Sequence, residues 1–337
     1  MSEAKGMVKT MRKRILTGDR PTGNLHLGHY VGSLKSRVSL QDEYETFILL
    51  ADIQALTTHF EKPELINENI LQVAIDNLSA GVDPEKVLFI QQSQIRAIAE
   101  LTVMFSMFVP VNRLADNPTI KTEAKNYRYK SLNYGFLGYP VSQTADILFC
   151  AADLVPVGED QLPHMEETGR IVKRFNQLYG DVFKKPEAMI SDCARLIGLD
   201  GSSKMGKSLG NAIYLCDTKE IVYNKIKAAV TDTSRIHKSD HGHPDICTVY
   251  RYHTIFNDGE ANNIKELCRN GCIGCAACKE NLSQSINEML EPMRERRAKY
   301  INNKDMVREM ILEGSRKANI IGDAQIEKVK SVMHLKL

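Results

Sequence analysis

The first half of the chain alternates short apolar runs with stretches that place apolar residues at helical spacing. Runs at residues 14–17, 46–52 and 87–91 have the length and the β-branched or aromatic content of buried strands. A helix is predicted from about Leu27, and residues 65–78 gather apolar side chains on one helical face. Because strand and helix alternate, the pattern predicts right-handed βαβ units and a parallel sheet.

Beyond about residue 209 the strand signal fades and helical spacing returns. A further apolar run at residues 153–158 can end a later strand of the sheet. The helical segments of the second half are residues 221–230, 262–267, 282–299 and 304–320. We therefore predict an α/β protein. A Rossmann-like parallel-sheet domain covers residues 1–208, and a mostly helical domain covers residues 209–337, with a last helix that can pack back on the first domain.

Composition excludes several classes of protein. The chain has 337 residues, of which 43% are hydrophobic and 26% charged, which is the balance of an ordinary globular protein. The net charge of +2 does not by itself indicate a nucleic-acid binder, although a local basic patch would suffice. The longest apolar stretches fall short of the roughly 20 residues that cross a bilayer. We see no secretory signal, so we expect a cytoplasmic protein without a membrane partner.

The segment at residues 17–34, TGDRPTGNLHLGHYVGSL, carries the first candidate chemistry. His26 and His29 flank the start of the helix that follows the first strand. Free N–H groups and the positive dipole end at a helix N-terminus favour phosphate, and two histidines add donors. Gly28 would let a nucleotide base approach the backbone closely. The alternative is a turn with two surface histidines.

The segment at residues 200–211, DGSSKMGKSLGN, is the second candidate phosphate-binding segment. Its glycines and serines predict a loop, and Lys204 and Lys207 lie three residues apart in it. Two lysines on such a loop can cover a triphosphate and neutralise departing pyrophosphate. Taken alone, the segment would be interpreted as a solvated loop.

Together the two segments resemble the HIGH and KMSKS signatures of the class I aminoacyl-tRNA synthetases, with Leu27 and Gly206 as departures. Two further segments, 139–176 (YPVSQTADILFCAADLVPVGEDQLPHMEETGRIVKRFN) and 290–300 (LEPMRERRAKY), resemble the tryptophanyl-tRNA synthetases, so that the resemblance covers nearly the whole chain. It implies an enzyme that activates tryptophan with ATP and Mg²⁺, releases pyrophosphate and transfers tryptophan to tRNA(Trp). The family also implies a homodimer, and an anticodon-binding role for the helical domain.

The resemblance also implies roles for single residues. Asp146 would accept the indole N–H, while Tyr139 and Gln161 would hold the ammonium and carboxylate end. The residues implied in catalysis are His26, His29, Lys204 and Lys207. The implied ATP-binding residues are Arg20, Pro21, Thr22, Gly28, His29, Gly158, Glu159, Asp160, Leu196, Lys204, Met205, Gly206, Lys207 and Ser208. The implied tryptophan-binding residues are Tyr139, Gln143, Asp146, Val155, Val157 and Gln161.

Three positions depart from the family pattern around the substrate. Gln143 stands where methionine is common, Arg20 where glutamine is common, and Gln54 where histidine is common. An indole has a single polar donor, so one buried acceptor such as Asp146 can fix its orientation. A tyrosine would present its hydroxyl elsewhere in the pocket and leave that acceptor badly paired, which can discriminate on the order of 10⁴-fold or more. The structural alternative for Asp146 is a helix-cap or surface carboxylate.

Five cysteines crowd into residues 247–278, and in a protein without an export signal such clusters indicate metal ligands. The last three cysteines of the cluster would fit a ferredoxin-like run. The set Cys247, Cys268, Cys275 and Cys278 instead resembles the four-cysteine [4Fe-4S] site of some bacterial tryptophanyl-tRNA synthetases and leaves Cys272 spare. A [4Fe-4S] cluster on that set is our prediction. Tetrahedral zinc is the main alternative, because spacing does not distinguish the metals, and unmetallated thiols are the third.

A basic stretch, Arg294, Arg296, Arg297 and Lys299, can meet tRNA phosphates or can form a solvated helix face. Other functions remain open from the sequence. They are a tyrosyl-tRNA synthetase, an adenylyltransferase that shares the first signature, and a non-catalytic paralogue that binds nucleic acid or senses redox state.

Overall fold

The computed structural model describes residues 12–127, 129–190, 196–201, 204–237 and 239–336. Five strands in this part of the chain form one sheet in the order β3-β2-β1-β4-β5. All four neighbouring pairs run parallel, which confirms the predicted α/β fold with a Rossmann-like sheet. The strands are β1 Arg14–Asp19, β2 Glu45–Leu50, β3 Val87–Gln91, β4 Leu154–Val157 and β5 Glu187–Ile190.

The edge strand β5 has no counterpart in the sequence prediction. Its four residues, EAMI, are largely exposed and form no apolar run, so the pattern that marks a buried strand is missing. The central strands instead carry that pattern, since Phe47, Ile48 and Leu50 of β2 are fully buried. Burial on both faces explains why β1 to β3 could be located from apolar runs alone.

Helices flank the sheet and form most of the second half of the chain. Those of the first half are α1 Leu27–His29, α2 Lys35–Leu40, α3 Asp52–His59, α4 Pro63–Ala80, α5 Arg96–Ser106, α6 Val111–Ala115, α7 Pro118–Asn126, α8 Tyr134–Leu148 and α9 Leu162–Tyr179. A π-helical turn, Tyr30–Leu34, joins α1 to α2. Those of the second half are α10 Lys219–Ala228, α11 Thr248–Phe256, α12 Asp258–Arg269, α13 Cys275–Ile301 and α14 Lys304–Val332. Among the described helices none is long and apolar enough to span a membrane.

The last helix, α14, packs on the edge strand β3 and on α5. The backbone N–H of Gln91 in β3 donates to the Ser315 hydroxyl at 3.0 Å. At Gly314 an added Cβ would collide with the carbonyl oxygen of Phe89, so helix and strand backbones are in direct contact there. This contact covers an edge that would otherwise expose unpaired backbone groups. The division of the chain into domains at residue 208 stays a prediction.

The three arginines of the basic stretch in α13 are used inside the molecule, which corrects the expectation that they meet tRNA phosphates. Their side chains point into the groove between α13 and its neighbours and bond acceptors there. The acceptors are Asp217 O and Asn287 Oδ1 for Arg294, Ser79 O for Arg296, and Asp76 and Gln72 Oε1 for Arg297. Lys299 remains exposed. Arg294 also pairs within α13, with Asn287 and with the interleaved Glu291 at 3.1 Å. The partners of Arg296 and Arg297 lie on α4 and could not be read from the sequence of α13.

We expect Gly314→Ala to lower the free energy of unfolding by roughly 1–3 kcal/mol, because the new methyl group must push α14 away from β3. Gly259→Ala is the matched control, since Gly259 is an exposed helical glycine with open space around it. The control should be neutral or stabilising by up to about 1 kcal/mol, as alanine favours helix. Urea unfolding of the three proteins measures both effects. Equal stability of the two variants would contradict the packing argument.

Candidate active site

A cavity of about 390 Å³ lies at the carboxyl ends of β1 and β4, within the size range of small-molecule sites. Strand β1 contributes Thr17 to Asp19, and β4 contributes Val155 to Val157. The residues singled out from sequence that line it are Arg20, His29, Gln54, Tyr139, Gln143, Asp146, Val155, Val157, Gly158 and Gln161. All six residues predicted to bind tryptophan are therefore brought together. Charged residues that sequence analysis did not identify also line it, namely Asp19, Arg37 and Glu123.

Asp146 is buried on α8 and is neither a helix cap nor a surface carboxylate. The side-chain amide of Gln92 donates to both of its oxygens, at 2.8 and 3.0 Å. Burial raises the pKa of Asp146 to about 7, the hydrogen bond from Gln92 lowers it, and the charge of Asp52 raises it. The Gln92 amide thus fixes the orientation of the carboxylate, while burial makes its ionised form less stable than it would be in water.

Gln92 is a site residue that sequence analysis missed. It follows the carboxyl end of β3, and its own oxygen accepts the backbone N–H of Gln54 at 3.0 Å. This leaves its NH₂ group turned toward Asp146. The position after a buried parallel strand was the available signal, because ligand sites lie at those strand ends.

Tyr139 is fixed from behind by His164. The Tyr139 hydroxyl and His164 Nε2 are 3.0 Å apart, and both side chains are buried. Burial lowers the pKa of His164 to about 4, so the ring is neutral near pH 7. Burial and then the nearby Glu123 carboxylate raise the pKa of Tyr139, which therefore keeps its proton.

A buried ion pair fixes the end of β1. Arg37 Nη1 lies 2.5 Å from Asp19 Oδ2, and Arg37 also donates to Thr17 Oγ1 at 3.1 Å and to Asn77 Oδ1 at 2.8 Å. Burial would raise the pKa of Asp19, but the guanidinium overrides it and holds the value at about 2. The pair neutralises the negative charge of Asp19, so the floor of the cavity carries little net charge.

The side chains of His26 and His29 together form the N-terminal cap of α1. His26 Nδ1 accepts the Gly28 N–H at 3.1 Å, and His29 Nδ1 accepts the His26 N–H at 3.2 Å. Burial and then nearby positive charges lower the pKa of His26 to about 2. Burial also lowers the pKa of His29 to about 4, although the Asp19 carboxylate opposes it. Since each Nδ1 accepts, the proton of each neutral ring lies on Nε2, which can donate to an anion. The alternative of two surface histidines is excluded for His26, which is buried.

The second segment folds onto the first. Lys207 Nζ donates to Gly23 O at 2.6 Å, and Gly206 N–H donates to Asn211 Oδ1 at 3.0 Å. Burial lowers the pKa of Lys207, whereas Lys204 is exposed. The two predicted phosphate segments are therefore adjacent. His29 of the first segment also lines the cavity.

Several residues predicted to bind ATP lie outside the cavity lining. They are Pro21, Thr22, Gly28, Glu159, Asp160, Leu196, Lys204, Met205, Gly206 and Lys207. The Leu196 and Met205 side chains belong to the hydrophobic core, so only their backbone could meet a nucleotide. The side chain of Ser208 lies outside the described residues.

The four predicted cysteine ligands line a second cavity, of about 20 Å³, in the helical half of the chain. Cys272 is exposed and does not line it. Burial, and then the neighbouring cysteines, raise the pKa of Cys278 to about 12, so that its thiol is protonated at neutral pH. In the described part of the chain no group of three or more His, Cys, Asp or Glu side chains is placed to hold a metal ion.

The chain is similar to known proteins over most of its length. A family model described as tRNA synthetases class I (W and Y) matches residues 9–291. The tryptophan–tRNA ligase of Treponema pallidum is 41% identical over 326 residues, which is 96% of this chain and 97% of that protein. The tryptophan–tRNA ligase of Lactococcus lactis is 44% identical over 330 residues, or 95% of this chain and 97% of that protein.

A solved structure is similar over almost the same length. It is the tryptophanyl-tRNA synthetase of Campylobacter jejuni complexed with ADP and tryptophan, with a TM-score of 0.85 and 28% identity. The match covers 95% of this chain and 99% of that chain.

The raised pKa of Asp146 predicts a pH-dependent cost to stability. The folded carboxyl has a pKa of about 7 and the unfolded one its ordinary value of 3.8, so the folded state keeps a proton that the unfolded state loses. The contribution of Asp146 to stability should therefore fall as pH rises from 4 to 7. Asp146→Asn removes this contribution, and its unfolding free energy relative to the native protein should rise over that interval by up to about 4 kcal/mol.

Urea unfolding at pH 4.5, 6 and 8 measures this difference. The cost of placing an amide beside Gln92 is the same at every pH. It therefore does not affect how the difference in unfolding free energy between variant and native protein changes with pH. A difference that is the same at all three pH values would contradict the raised pKa.

Proposed function

The chain belongs to the family of class I tRNA synthetases for tryptophan and tyrosine, and we propose that within this family it is a tryptophan–tRNA ligase. The observation that carries the choice of amino acid is Asp146, one buried carboxylate held by Gln92 in a cavity that Val155 and Val157 line with apolar surface. An indole presents apolar surface and a single N–H, which this carboxylate can accept. A phenol carries its O–H donor at a different position on the ring and would leave this carboxylate badly paired.

The activation step needs positioning and charge stabilisation more than acid–base chemistry. A carboxylate is already a nucleophile at pH 7, and it attacks the α-phosphate of ATP as pyrophosphate leaves. We assign the Nε2–H groups of His26 and His29 and the charges of Lys204 and Lys207 to the phosphates, with Mg²⁺ accompanying ATP. The tie from Lys207 to Gly23 holds this lysine beside the first segment. Neutral histidines suit this role, because they donate hydrogen bonds without giving up a proton.

The transfer step passes tryptophan from the adenylate to a terminal ribose hydroxyl of tRNA(Trp). We assign anticodon contact to the helical half of the chain. Because three arginines of α13 are engaged internally, exposed groups such as Lys299 are better placed to meet RNA phosphates. Because protein synthesis consumes the product, we propose that the enzyme acts in the cytoplasm.

ATP–pyrophosphate exchange with tryptophan and with tyrosine tests the assignment. We expect exchange with tryptophan, and exchange with tyrosine lower by about 10⁴-fold in kcat/KM. The variant Asp146→Asn should lose tryptophan exchange while remaining folded by circular dichroism. Preference for tyrosine would reassign the amino acid. Absence of exchange with both, in folded protein, would favour a non-catalytic paralogue.

We also propose a homodimer. An apolar groove of about 520 Å³ opens beside the active-site cavity, and Gln54 and Tyr139 line both. Phe60, Val111 and Tyr134 expose more than half of their surface at this groove. Because large exposed apolar patches mark association sites, a second copy of the chain covering this groove would also enclose the amino-acid site.

The metal proposal concerns Cys247, Cys268, Cys275 and Cys278. Their thiols are the donors that both a [4Fe-4S] cluster and zinc prefer, and all four line one cavity. The cavity measures about 20 Å³, so a [4Fe-4S] cluster requires the four side chains to move apart. A single ion also requires them to move, because the described residues hold no group of three or more ligands placed for a metal. We keep [4Fe-4S] as the first candidate and zinc as the alternative. Either would cross-link α12, α13 and the start of α11.

Metal analysis of anaerobically purified protein separates the candidates. Iron with acid-labile sulfide in a ratio near one would identify the cluster, and about one zinc per chain would identify the ion. Cys275→Ser should lose the metal, while Cys272→Ser, the matched control with an exposed thiol, should retain it. Metal-free native protein, or equal loss in both variants, would contradict the proposed ligand set.

A further inference from the structure

Two acceptor atoms at the active-site cavity lack a hydrogen bond of good geometry from the described residues, although the Tyr139 hydroxyl lies close enough to Glu123 for its pKa to be raised by that carboxylate. They are Oε2 of Glu123 on α7 and Oε1 of Gln143 on α8, and both atoms are buried although both residues line the cavity. A buried acceptor without a partner is costly, and a carboxylate oxygen more so. Two of them beside one cavity indicate that a ligand with several donors belongs there.

We infer that Glu123, assisted by Gln143, binds the α-ammonium group of the amino acid. The inference rests on the proposed function, since it assigns one end of the same substrate. An ammonium carries three donors and no acceptor, which matches two unpaired oxygens and the polar surroundings of Tyr139. It would also place a positive charge against the Glu123 carboxylate, where a charge-assisted hydrogen bond is strong.

The spacing along α8 agrees with this assignment. Tyr139, Gln143 and Asp146 follow one another at intervals of four and three residues, so they lie on one face of the helix. From Gln143 to Asp146 the helix rises by about 4.5 Å, at 1.5 Å per residue. A substrate whose indole N–H meets Asp146 therefore has its amino group within about one helical turn, toward Gln143 and Glu123.

The nearby cation does not satisfy Glu123. Arg20 Nη2 lies 3.6 Å from Glu123 Oε1, which is beyond a good hydrogen bond, and it leaves Oε2 untouched. Arg20 follows β1 and lines the same cavity as His29. It is thus placed to draw the substrate carboxylate toward the phosphate side while Glu123 holds the ammonium. The resemblance assigned this end of the substrate to Tyr139 and Gln161, and Glu123 adds the charge that those two lack.

Three ligands separate the ammonium contact from the rest of the site. Tryptophan has both charged groups, tryptamine keeps the ammonium alone, and indole-3-propionate keeps the carboxylate alone. Calorimetric titration of each into the native protein and into Glu123→Gln measures the contact directly. We expect the variant to lose about 10- to 100-fold in affinity for tryptophan and for tryptamine. Its affinity for indole-3-propionate should be unchanged or higher, because a repelling charge is gone.

Two further variants complete the design. Asp116→Asn is the matched control, because Asp116 is an exposed carboxylate paired with Lys121 near the start of α7 and lies outside the cavity lining. It should bind all three ligands as the native protein does. Gln143→Met removes the second acceptor at similar length and should weaken tryptamine by a smaller factor, about 3- to 10-fold.

The outcomes distinguish the inference from the proposed function. If native protein binds tryptophan and Glu123→Gln binds tryptamine equally well, the ammonium assignment is wrong while the ligase assignment stands. A parallel loss of tryptamine and indole-3-propionate would mean that Glu123 acts only through structure, which also overturns it. If native protein binds none of the three ligands, the ligase assignment fails and the inference fails with it.

Discussion

The site depends on the position of β1 in the parallel sheet. The chain runs from β1 to β2 and β3 on one side and then crosses to β4 and β5 on the other side of β1. This change of direction opens a crevice at the carboxyl ends of β1 and β4. The buried pair of Arg37 and Asp19 fixes that end in place. Asp146 and His29 line this opening, whereas His26, Lys204 and Lys207 lie outside its lining.

Polar groups in the crevice fall into two kinds. Asp146 is held by Gln92, and Asp19 by Arg37, so these carboxylates have fixed positions before any substrate arrives. Fixed acceptors and donors need no rearrangement when charge develops, which favours catalysis by positioning. Glu123 and Gln143 instead keep unpaired acceptor atoms, and their free energy improves only when a ligand supplies donors.

Arg297, one of the arginines that the sequence suggested could contact RNA, instead connects the helical half of the chain to the segment beside the crevice. Arg297 on α13 bonds the buried Asp76 of α4, and Asp76 accepts the backbone N–H of Leu25 at 2.7 Å. Leu25 directly precedes His26, so one carboxylate joins α13 to the start of the phosphate segment. Burial raises the pKa of Asp76 to about 6 even beside Arg297. The contact orders the turn that presents both histidines.

Sequence alone predicted the parallel α/β fold and the two candidate phosphate segments, and the family resemblance pointed to six residues that line the cavity. The fold follows from apolar periodicity and the two segments from local motifs, in which the residues concerned are close in the chain. Only the tertiary structure identified Gln92, Glu123 and the internal use of Arg294, Arg296 and Arg297, and it revealed the exposed edge strand β5. Their partners come from distant elements, as with Gln92 and Asp146, which lie 54 residues apart. Burial and pairing across such distances are set by packing, and no local pattern encodes them.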